Sequence, residues 1–332
     1  TEKILAQKEK IEGERKQVTV MFCDLVGFTS ISEKLGHEEV YALIDRIMEI
    51  LIHQVHAYEG TVNKMTGDGI MALFGAPIAL EDAPQRALRS ALAISREMNQ
   101  YAEKGKREKG APPIQMRIGI HTGPVVVGTL GSDLRVEFSA VGDTVNLASR
   151  MEGLAEPGTI LVSEETYRLT EGLFRFEPMG EKRVKGKENP IQAYRVIAPR
   201  SSKTRFEVSA EKGLTCFVGR ERELEVLRDG FERAREGRGQ VFSVVAEAGV
   251  GKSRLLHEFR KALAKEDLTI VEGKCLSYGR GMAYHPLVEI LKSSFEIQEG
   301  EEESEIRRKL KEGLKTLEID EGVYLPFLLE LF

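Results

Sequence analysis

The sequence predicts an α+β fold: a ferredoxin-like βαββαβ domain followed by a second, partial α/β domain. Three observations lead to this prediction. Strand and helix patterns alternate through residues 16–198 in the order strand, helix, hairpin, helix, strand, which gives an antiparallel sheet with helices on one face. Residues 199–213 are polar without a clear period and predict a linker. The length of 332 residues suits two domains better than one.

The predicted strands of the first domain are short apolar runs that end at glycine, proline or polar residues. They occupy residues 16–24, 61–65, 70–74, 115–121, 124–129, 136–141, 160–162, 174–179 and 191–196. Thr66-Gly67-Asp68-Gly69 predicts a hairpin between the second and third strands, because Asp-Gly is a favoured turn pair. Thr122-Gly123 is predicted to separate a further strand pair.

The predicted helices of this domain repeat apolar side chains at helical spacing, and they occupy residues 37–58, 81–104 and 144–154. Pro84 lies in the first turn of the second helix, where proline is tolerated. Behind the linker, a strand at 240–245 and a helix at 255–263 are predicted. The predicted domains are a lead-in helix at 1–15, the first domain at 16–198, the linker at 199–213 and the second domain at 214–332.

The composition is that of an ordinary globular protein, with 41% hydrophobic and 30% charged residues. The net charge of −5 gives no global basic surface for nucleic acid, so nucleic acid is not an expected partner. No apolar run has the length that a transmembrane helix needs. Cys23, Cys216 and Cys275 lack metal-ligand spacing and fit a reducing compartment, which predicts a cytoplasmic location.

Two aspartates follow strand patterns and precede glycine-bearing segments: Asp24 and Asp68. Such positions project a carboxylate from the rim of a sheet to a place where a ligand can approach the backbone. Two such carboxylates, brought together, can hold a pair of hard divalent cations. The alternative is one aspartate in a turn and one at a helix start, and both are common.

Three longer blocks surround or follow these aspartates. They are FCDLVGFTS at Phe22–Ser30, NKMTGDG at Asn63–Gly69 and VGDTVNLASRME at Val141–Glu152. Together, and in this order, they resemble the class III nucleotide cyclases over residues 15–198. These enzymes join the ribose 3′-hydroxyl to the α-phosphorus and expel pyrophosphate. The resemblance therefore implies a cyclase, and we expect an adenylyl cyclase that makes cyclic AMP from ATP.

The resemblance also implies a metal site. Asp24 and Asp68 would hold two divalent ions, Mg²⁺ or Mn²⁺, with the backbone carbonyl of Leu25 as a further ligand. One ion would lower the pKa of the 3′-hydroxyl and the other would clamp the triphosphate. The backbone amides of the following turn would face the phosphates. The residues of this phosphate-facing segment are Leu25, Gly27, Phe28 and Thr29.

Asn146 and Arg150 are four positions apart on one predicted helix, so they face the same way. By resemblance, Asn146 orients the ribose and Arg150 stabilises the charge that develops at the α-phosphate, a role suited to its fixed fork of donors. Without the surrounding block, the alternative is that Asn146 is an exposed helix residue and that Arg150 forms a surface ion pair.

Base recognition is expected from two residues. Lys64 matches the position that contacts adenine, since a lysine can donate to the ring, whereas the glutamate of guanylyl cyclases suits guanine. Ser139 matches the second base-reading position and can both accept and donate. Lys185 matches the lysine that binds the β- and γ-phosphates, and the alternative for it is a solvated turn.

In this family one chain supplies the metal aspartates and its partner supplies the base-reading lysine, the asparagine and the arginine. This chain holds both sets in one cyclase-like segment, so a head-to-tail homodimer is implied. The alternative to an active enzyme is a weak or inactive nucleotide-binding module that controls, or is controlled by, the second domain.

A second nucleotide motif, AEAGVGKS, lies at Ala246–Ser253 and resembles the phosphate-binding loop of P-loop NTPases. Gly249 and Gly251 would let backbone amides approach phosphates, Lys252 would reach the β- and γ-phosphates, and Ser253 would hold Mg²⁺. A further nucleotide is therefore a possible ligand. No strand ending in an acidic pair follows, so turnover is not expected there and the domain is expected to be incomplete.

Overall fold

The computed structural model describes most of the chain in thirteen segments or single residues. These are residues 14–33, 35–109, 114–132, 135–183, 190–200, 206, 210, 213–247, 249–273, 275, 284–297, 301 and 303–331. The chain forms two compact units, Thr1–Ser201 with Gly273–Phe332, and Ser202–Glu272. The predicted lead-in helix and linker lie largely outside the described residues, although Glu14 and Arg15 belong to the first strand.

The first unit is built on one mainly antiparallel sheet. Its strands are β1 (Glu14–Leu25), β2 (Thr61–Met65), β3 (Ile70–Phe74), β4 (Met116–Ser132), β5 (Arg135–Val141), β6 (Ile160–Ser163), β7 (Phe174–Lys182) and β8 (Ile191–Pro199). The order across the sheet is β2-β3-β1-β4-β6-β8-β7, and β5 pairs with β4 outside this row. The predicted ferredoxin-like core is confirmed, since β2-β3-β1-β4 is the strand order of a βαββαβ unit.

Ten helices can be described. They are α1 (Phe28–Ser32), α2 (His37–Ala57), α3 (Ala83–Lys109), α4 (Asp143–Leu154), α5 (Glu164–Thr170), α6 (Glu221–Arg235), α7 (Lys252–Ala262), α8 (His285–Ser294), α9 (Glu303–Thr316) and α10 (Glu321–Leu329). The three helices predicted in the first domain are present as α2, α3 and α4, with Pro84 in the first turn of α3. Helix α5 was not predicted; it is short and is capped by the Ser163 side chain.

The two faces of the sheet are covered by different helices. On β1, Met21 and Cys23 point into the larger core with residues of α2 and α3, while Val20 and Phe22 point to the other face. Helix α4 packs on that second face against β1 and β4. The one-face arrangement of α2 and α3 is as predicted, and α4 adds a layer on the opposite side. Asp24 continues the Val20–Phe22 alternation and therefore lies on the α4 face.

One strand prediction is wrong. Residues 115–121 and 124–129 do not form a pair around Thr122-Gly123; they belong to the single 17-residue strand β4. Thr122 and Gly123 stay extended because they pair with Thr19 and Val18 of β1. A partner strand distant in sequence thus overrides the local turn signal.

The strand predicted at 240–245 is also absent. Residues 240–247 have no regular secondary structure, and Val241 and Val245 are 98% and 88% exposed. A strand requires a neighbour for its ladder hydrogen bonds, and in the described residues after β8 no segment pairs with this one. Helices α9 and α10 form a small core around Leu310 and Leu314, together with Phe295 and Ile297, which follow α8. In the described part of the chain, no helix combines the length and the apolar character that a membrane crossing needs.

A buried arginine ties α3 to the segment that follows α2. Arg86 of α3 is 4% exposed, and it donates to Asp82 Oδ1 at 2.6 Å and to Glu59 Oε2 at 2.8 Å. Arg86→Met is expected to lower the free energy of unfolding by about 2 kcal/mol, because two charge-assisted hydrogen bonds are lost and the partner carboxylates remain.

Urea denaturation checks this, with Arg46→Met as the matched control. Arg46 pairs with Glu49 on the surface of α2, and the two side chains are 50% and 66% exposed, so its loss should change stability by less than ~0.5 kcal/mol. Equal effects of the two substitutions would contradict the structural role of Arg86.

Candidate active site

The two predicted metal aspartates meet at one edge of the sheet. Asp24 is the penultimate residue of β1, and Asp68 lies in the tight β2–β3 turn, which the Thr66 amide closes by donating to the Gly69 carbonyl at 2.9 Å. This confirms the predicted Asp-Gly hairpin. The hairpin places the Asp68 carboxyl group near that of Asp24.

Glycine is required at the point where this turn meets β1. A Cβ at position 69 would lie 2.1 Å from the Cys23 carbonyl oxygen and 2.9 Å from Asp24 Oδ1. Any side chain at Gly69 would therefore push the hairpin away from β1 and separate the two aspartates. Gly69 therefore has two roles: it is part of the turn, and it allows the hairpin to approach β1 closely.

The negative charge of Asp68 disfavours ionisation of Asp24. Burial raises the pKa of Asp24, and the neighbouring Asp68 raises it further, while Arg117 and the Leu25 amide oppose these effects. Two carboxylates at such short range resist simultaneous ionisation unless a cation joins them. In the described residues, no three His, Cys, Asp or Glu side chains converge as a complete metal site. Two neighbouring carboxylates are the kind of oxygen ligands that hard divalent cations prefer.

Arg117 and Glu152 belong to the same cluster, and neither was predicted to be a site residue. Arg117 is the β4 residue directly opposite Asp24 in the β1–β4 ladder. Glu152 is in the last turn of α4, and its pKa is raised by burial first and by Asp24 next, with Arg117 opposing. Neither residue carries a local signal, because pairing across strands and helix packing bring them to the site.

The backbone after Asp24 turns sharply. Leu25 ends β1, Val26 donates to the Gln115 carbonyl at 2.9 Å, and Gly27 adopts a left-handed φ of 69°. Helix α1 then begins at Phe28 and includes Thr29. The predicted phosphate-facing segment is therefore a turn that opens a one-turn helix beside the aspartates.

Asn146 and Arg150 lie together on α4, on another side of the helix from Glu152, since residues two apart on a helix do not face the same way. Asn146 is exposed, Arg150 is half-buried, and one terminal guanidinium nitrogen of Arg150 is buried without a hydrogen-bond partner among the described residues. The Thr144 hydroxyl donates to the Pro124 carbonyl at 2.7 Å and ties the start of α4 to β4. Helix α4 thus presents Glu152 on one side and Asn146 with Arg150 on another.

The base-reading candidates are spread over the same sheet. Lys64 is exposed on the edge strand β2, next to a β-bulge, and pairs with Met71 of β3. Ser139 is on β5 and pairs with Gly128 of β4. Lys185 lies outside the described residues.

The second nucleotide motif forms a glycine-rich loop before α7. Gly249 and Gly251 have left-handed φ values of 83° and 93°, which glycine adopts without strain. The Lys252 ammonium donates to the carbonyl oxygens of Ala246 and Glu247, both at 2.7 Å. Ser253 lies in the first turn of α7 and is exposed. The lysine thus engages the loop's own carbonyl groups.

Comparison with known proteins decides the family. Residues 11–198 match the adenylate and guanylate cyclase catalytic domain. The chain belongs to this family. The cyclase domain is followed by a match to the AAA ATPase domain at residues 216–323. The predicted resemblance to a class III cyclase fused to a P-loop NTPase domain is therefore confirmed.

Individual relatives agree with this assignment. The chain is 36% identical over 185 residues to adenylate cyclase 1 of Rhizobium meliloti (strain 1021), a stretch that covers 55% of this chain and 28% of that protein. The chain thus spans less than a third of the length of that relative. The crystal structure of the adenylyl cyclase CyaB from P. aeruginosa is similar, with TM-score 0.55, 34% identity, and coverage of 57% of this chain and 98% of that chain. The guanylyl cyclase Cya2 gives TM-score 0.54, 32% identity, and coverage of 56% and 94%.

Proposed function

We propose that this chain is an adenylyl cyclase that converts ATP to 3′,5′-cyclic AMP and pyrophosphate. The observation that carries the proposal is the pair of carboxylates, Asp24 and Asp68, held side by side at the sheet edge beside Arg117. The resemblance to proteins named adenylate cyclase supports the choice of product. The proposed domain boundaries are residues 16–198 for the cyclase and 214–332 for the P-loop domain.

In the proposed reaction the ribose 3′-oxygen loses its proton to solvent and forms a bond to the α-phosphorus. The bond between the α-phosphorus and the oxygen that bridges to the β-phosphate breaks, and pyrophosphate leaves. Two Mg²⁺ or Mn²⁺ ions, when bound, would supply Lewis-acid activation of the 3′-hydroxyl and neutralise the triphosphate. Asp24, Asp68 and the Leu25 carbonyl would hold these ions. Arg117 would contact the phosphates through its guanidinium, which matches phosphate geometry.

The remaining groups would come from a second copy of the chain. Asn146 would orient the ribose, and Arg150 would stabilise charge at the α-phosphate. Their position on another side of α4 from Glu152 supports a head-to-tail homodimer with up to two sites at the interface. In the P-loop domain, Gly249, Gly251, Lys252 and Ser253 would bind a further nucleotide after Lys252 releases the loop carbonyls.

Lys64 is proposed to select adenine, with Ser139 as the second base contact and Lys185 on the β- and γ-phosphates. The bulge next to Lys64 on an exposed edge strand supports this role, because bulges redirect side chains at functional edges. A donor at this position suits the adenine ring acceptors, whereas an acidic side chain suits guanine.

The proposal is tested by incubating the purified chain with Mn²⁺ and either ATP or GTP, and by quantifying both cyclic products by mass spectrometry. Cyclic AMP is expected as the main product. Lys64→Glu is expected to lower the ratio of ATP to GTP turnover by at least about 10-fold, because a favourable polar contact with adenine is replaced by a repulsive one. Lys104→Glu, on the exposed surface of α3, makes the same charge change and should leave the ratio unaltered. Absence of any cyclic product would instead support a regulatory nucleotide-binding module.

A further inference from the structure

The Arg117 side chain has an unsatisfied donor. Its Nε atom is buried and has no hydrogen-bond partner among the described residues. A buried donor without an acceptor costs about 1–3 kcal/mol, so native structures supply one in nearly every case. The guanidinium is therefore incompletely fixed, although it lies opposite Asp24 at the centre of the proposed site.

Glu152 is held next to Arg117 by direct backbone packing. A Cβ at Gly119 would lie 1.9 Å from the Glu152 amide nitrogen and 2.6 Å from the Ala148 carbonyl oxygen. Gly119 and Arg117 are two residues apart on β4, so they share the face on which α4 rests. The close approach at Gly119 thus places the backbone of Glu152 over the same part of the sheet as Arg117.

The Glu152 carboxylate lies in an electrostatically unfavourable environment. It is half-buried, and the negative charges of Asp24 and Asp68 both face it. Arg117 is the cation that opposes these charges. A third carboxylate beside a metal and triphosphate site would repel the substrate, so electrostatics alone argues against it. The Glu152 carboxylate is an acceptor of the kind that the unpartnered Arg117 Nε donor requires.

We propose that Glu152 is a positioning residue: when phosphates occupy the site, its carboxylate accepts the hydrogen bond that Arg117 Nε lacks in this structure, and it thereby aims the terminal guanidinium nitrogens at the phosphates. The inference deepens the proposed function and rests on it, since Arg117 is assigned there to the phosphates. Glu152 itself does not contact the substrate. Its effect is transmitted through Arg117, and this distinguishes it from a structural residue of α4.

The positioning role and a simple charge effect predict opposite signs. Glu152→Gln removes a negative charge near the phosphates, so a charge effect would tighten phosphate binding. If Glu152 positions Arg117, the same variant weakens phosphate binding, since an amide is a poorer acceptor for guanidinium than a carboxylate. Glu152→Asp keeps the charge but shortens the side chain, and is expected to restore part of the loss.

The test is a double-substitution cycle on the full chain. Binding of inorganic tripolyphosphate in the presence of Mn²⁺ is measured by calorimetry for the unaltered protein, Glu152→Gln, Arg117→Met and the double variant, and the KM for ATP is measured alongside. We expect Glu152→Gln to weaken tripolyphosphate binding and to raise the KM by about 10-fold, and the double variant to bind no more weakly than Arg117→Met. The control is Glu156→Gln, which changes an exposed carboxylate just beyond α4. It should leave both tripolyphosphate binding and the KM for ATP unchanged.

Three results would overturn the positioning role. The first is unchanged or tighter binding in Glu152→Gln. The second is a pair of losses that add in the double variant, because they would show that Glu152 does not act through Arg117. The third is a lowered melting temperature with unchanged binding, which would leave only a structural role. If the unaltered chain bound tripolyphosphate but formed no cyclic product, the proposed function would fail while the binding cycle still decided the role of Glu152.

Discussion

Asp24→Asn is expected to lower cyclic nucleotide formation by about 1,000-fold or more while making the metal-free protein more stable at neutral pH. The loss of activity follows from the proposed metal site, because a divalent ion contributes several kcal/mol to the transition state and Asp24 is one of its two carboxylate ligands. The gain in stability follows from the electrostatics of the folded protein.

The sign of the stability effect is set by the direction of the pKa shift. Burial and Asp68 raise the pKa of Asp24 above its ordinary value, so the folded state binds the proton more tightly than the unfolded chain. Ionisation of Asp24 therefore disfavours folding, and this cost develops as pH rises from the ordinary carboxyl range through the raised pKa. The amide that replaces this carboxyl group does not ionise and carries no such cost, so Asp24→Asn should melt at a higher temperature at neutral pH.

Thermal denaturation at neutral pH, with chelator and then with increasing Mn²⁺, checks both parts. The unaltered protein should gain stability as Mn²⁺ is added, since a ligand of the folded state stabilises it, and Asp24→Asn should gain much less. Asp45→Asn, an exposed position on α2, is the matched control and should change neither activity nor the Mn²⁺ response. Retained activity in Asp24→Asn would exclude Asp24 as a metal ligand.

Asp24→Asn and Arg150→Ala, each inactive alone, are expected to regain activity when mixed. In a head-to-tail dimer, each site takes its aspartates from one chain and its arginine from the other. A mixed dimer therefore has one intact site and one site that lacks both groups. With random pairing of equal amounts, half of the dimers are mixed, and about one quarter of the original activity should return.

Two control mixtures make this result specific. Asp24→Asn with Asp68→Asn places both changes in the same half of the site, and so does Asn146→Ala with Arg150→Ala, so neither mixture should recover. Activity is followed as cyclic AMP formed per chain after the variants have been mixed and allowed to exchange. No recovery in the Asp24–Arg150 mixture, at concentrations where dimers form, would refute the shared-site arrangement.

The elements that depend on local signals were predictable. The Asp68 turn needs only Asp-Gly between two strand patterns, and α2 and α4 need only their apolar repeat, so these features follow from neighbouring residues. The position of Asp68 beside Asp24 was predicted from resemblance, and the hairpin achieves it because Gly69 permits close contact with β1.

Features that depend on distant partners were not predictable. Thr122-Gly123 has a turn composition, but pairing with β1 keeps it extended. Residues 240–245 have a strand composition, but lack a paired neighbour in the described chain. Arg117 and Glu152 look like any charged residue in a strand and a helix. Only the β1–β4 register and the packing of α4 on Gly119 bring them to Asp24.

The packing of α4 on β4 has an evolutionary consequence. In the proposed dimer, a single helix carries Glu152 for its own protomer's metal cluster and Asn146 and Arg150 for the partner's site. Any substitution that shifts this helix therefore alters both sites at once, and selection cannot improve one face independently of the other. Gene duplication would remove this constraint, because one copy could keep the aspartates while the other kept the asparagine and arginine, which leaves one reactive site and frees the second for a new ligand.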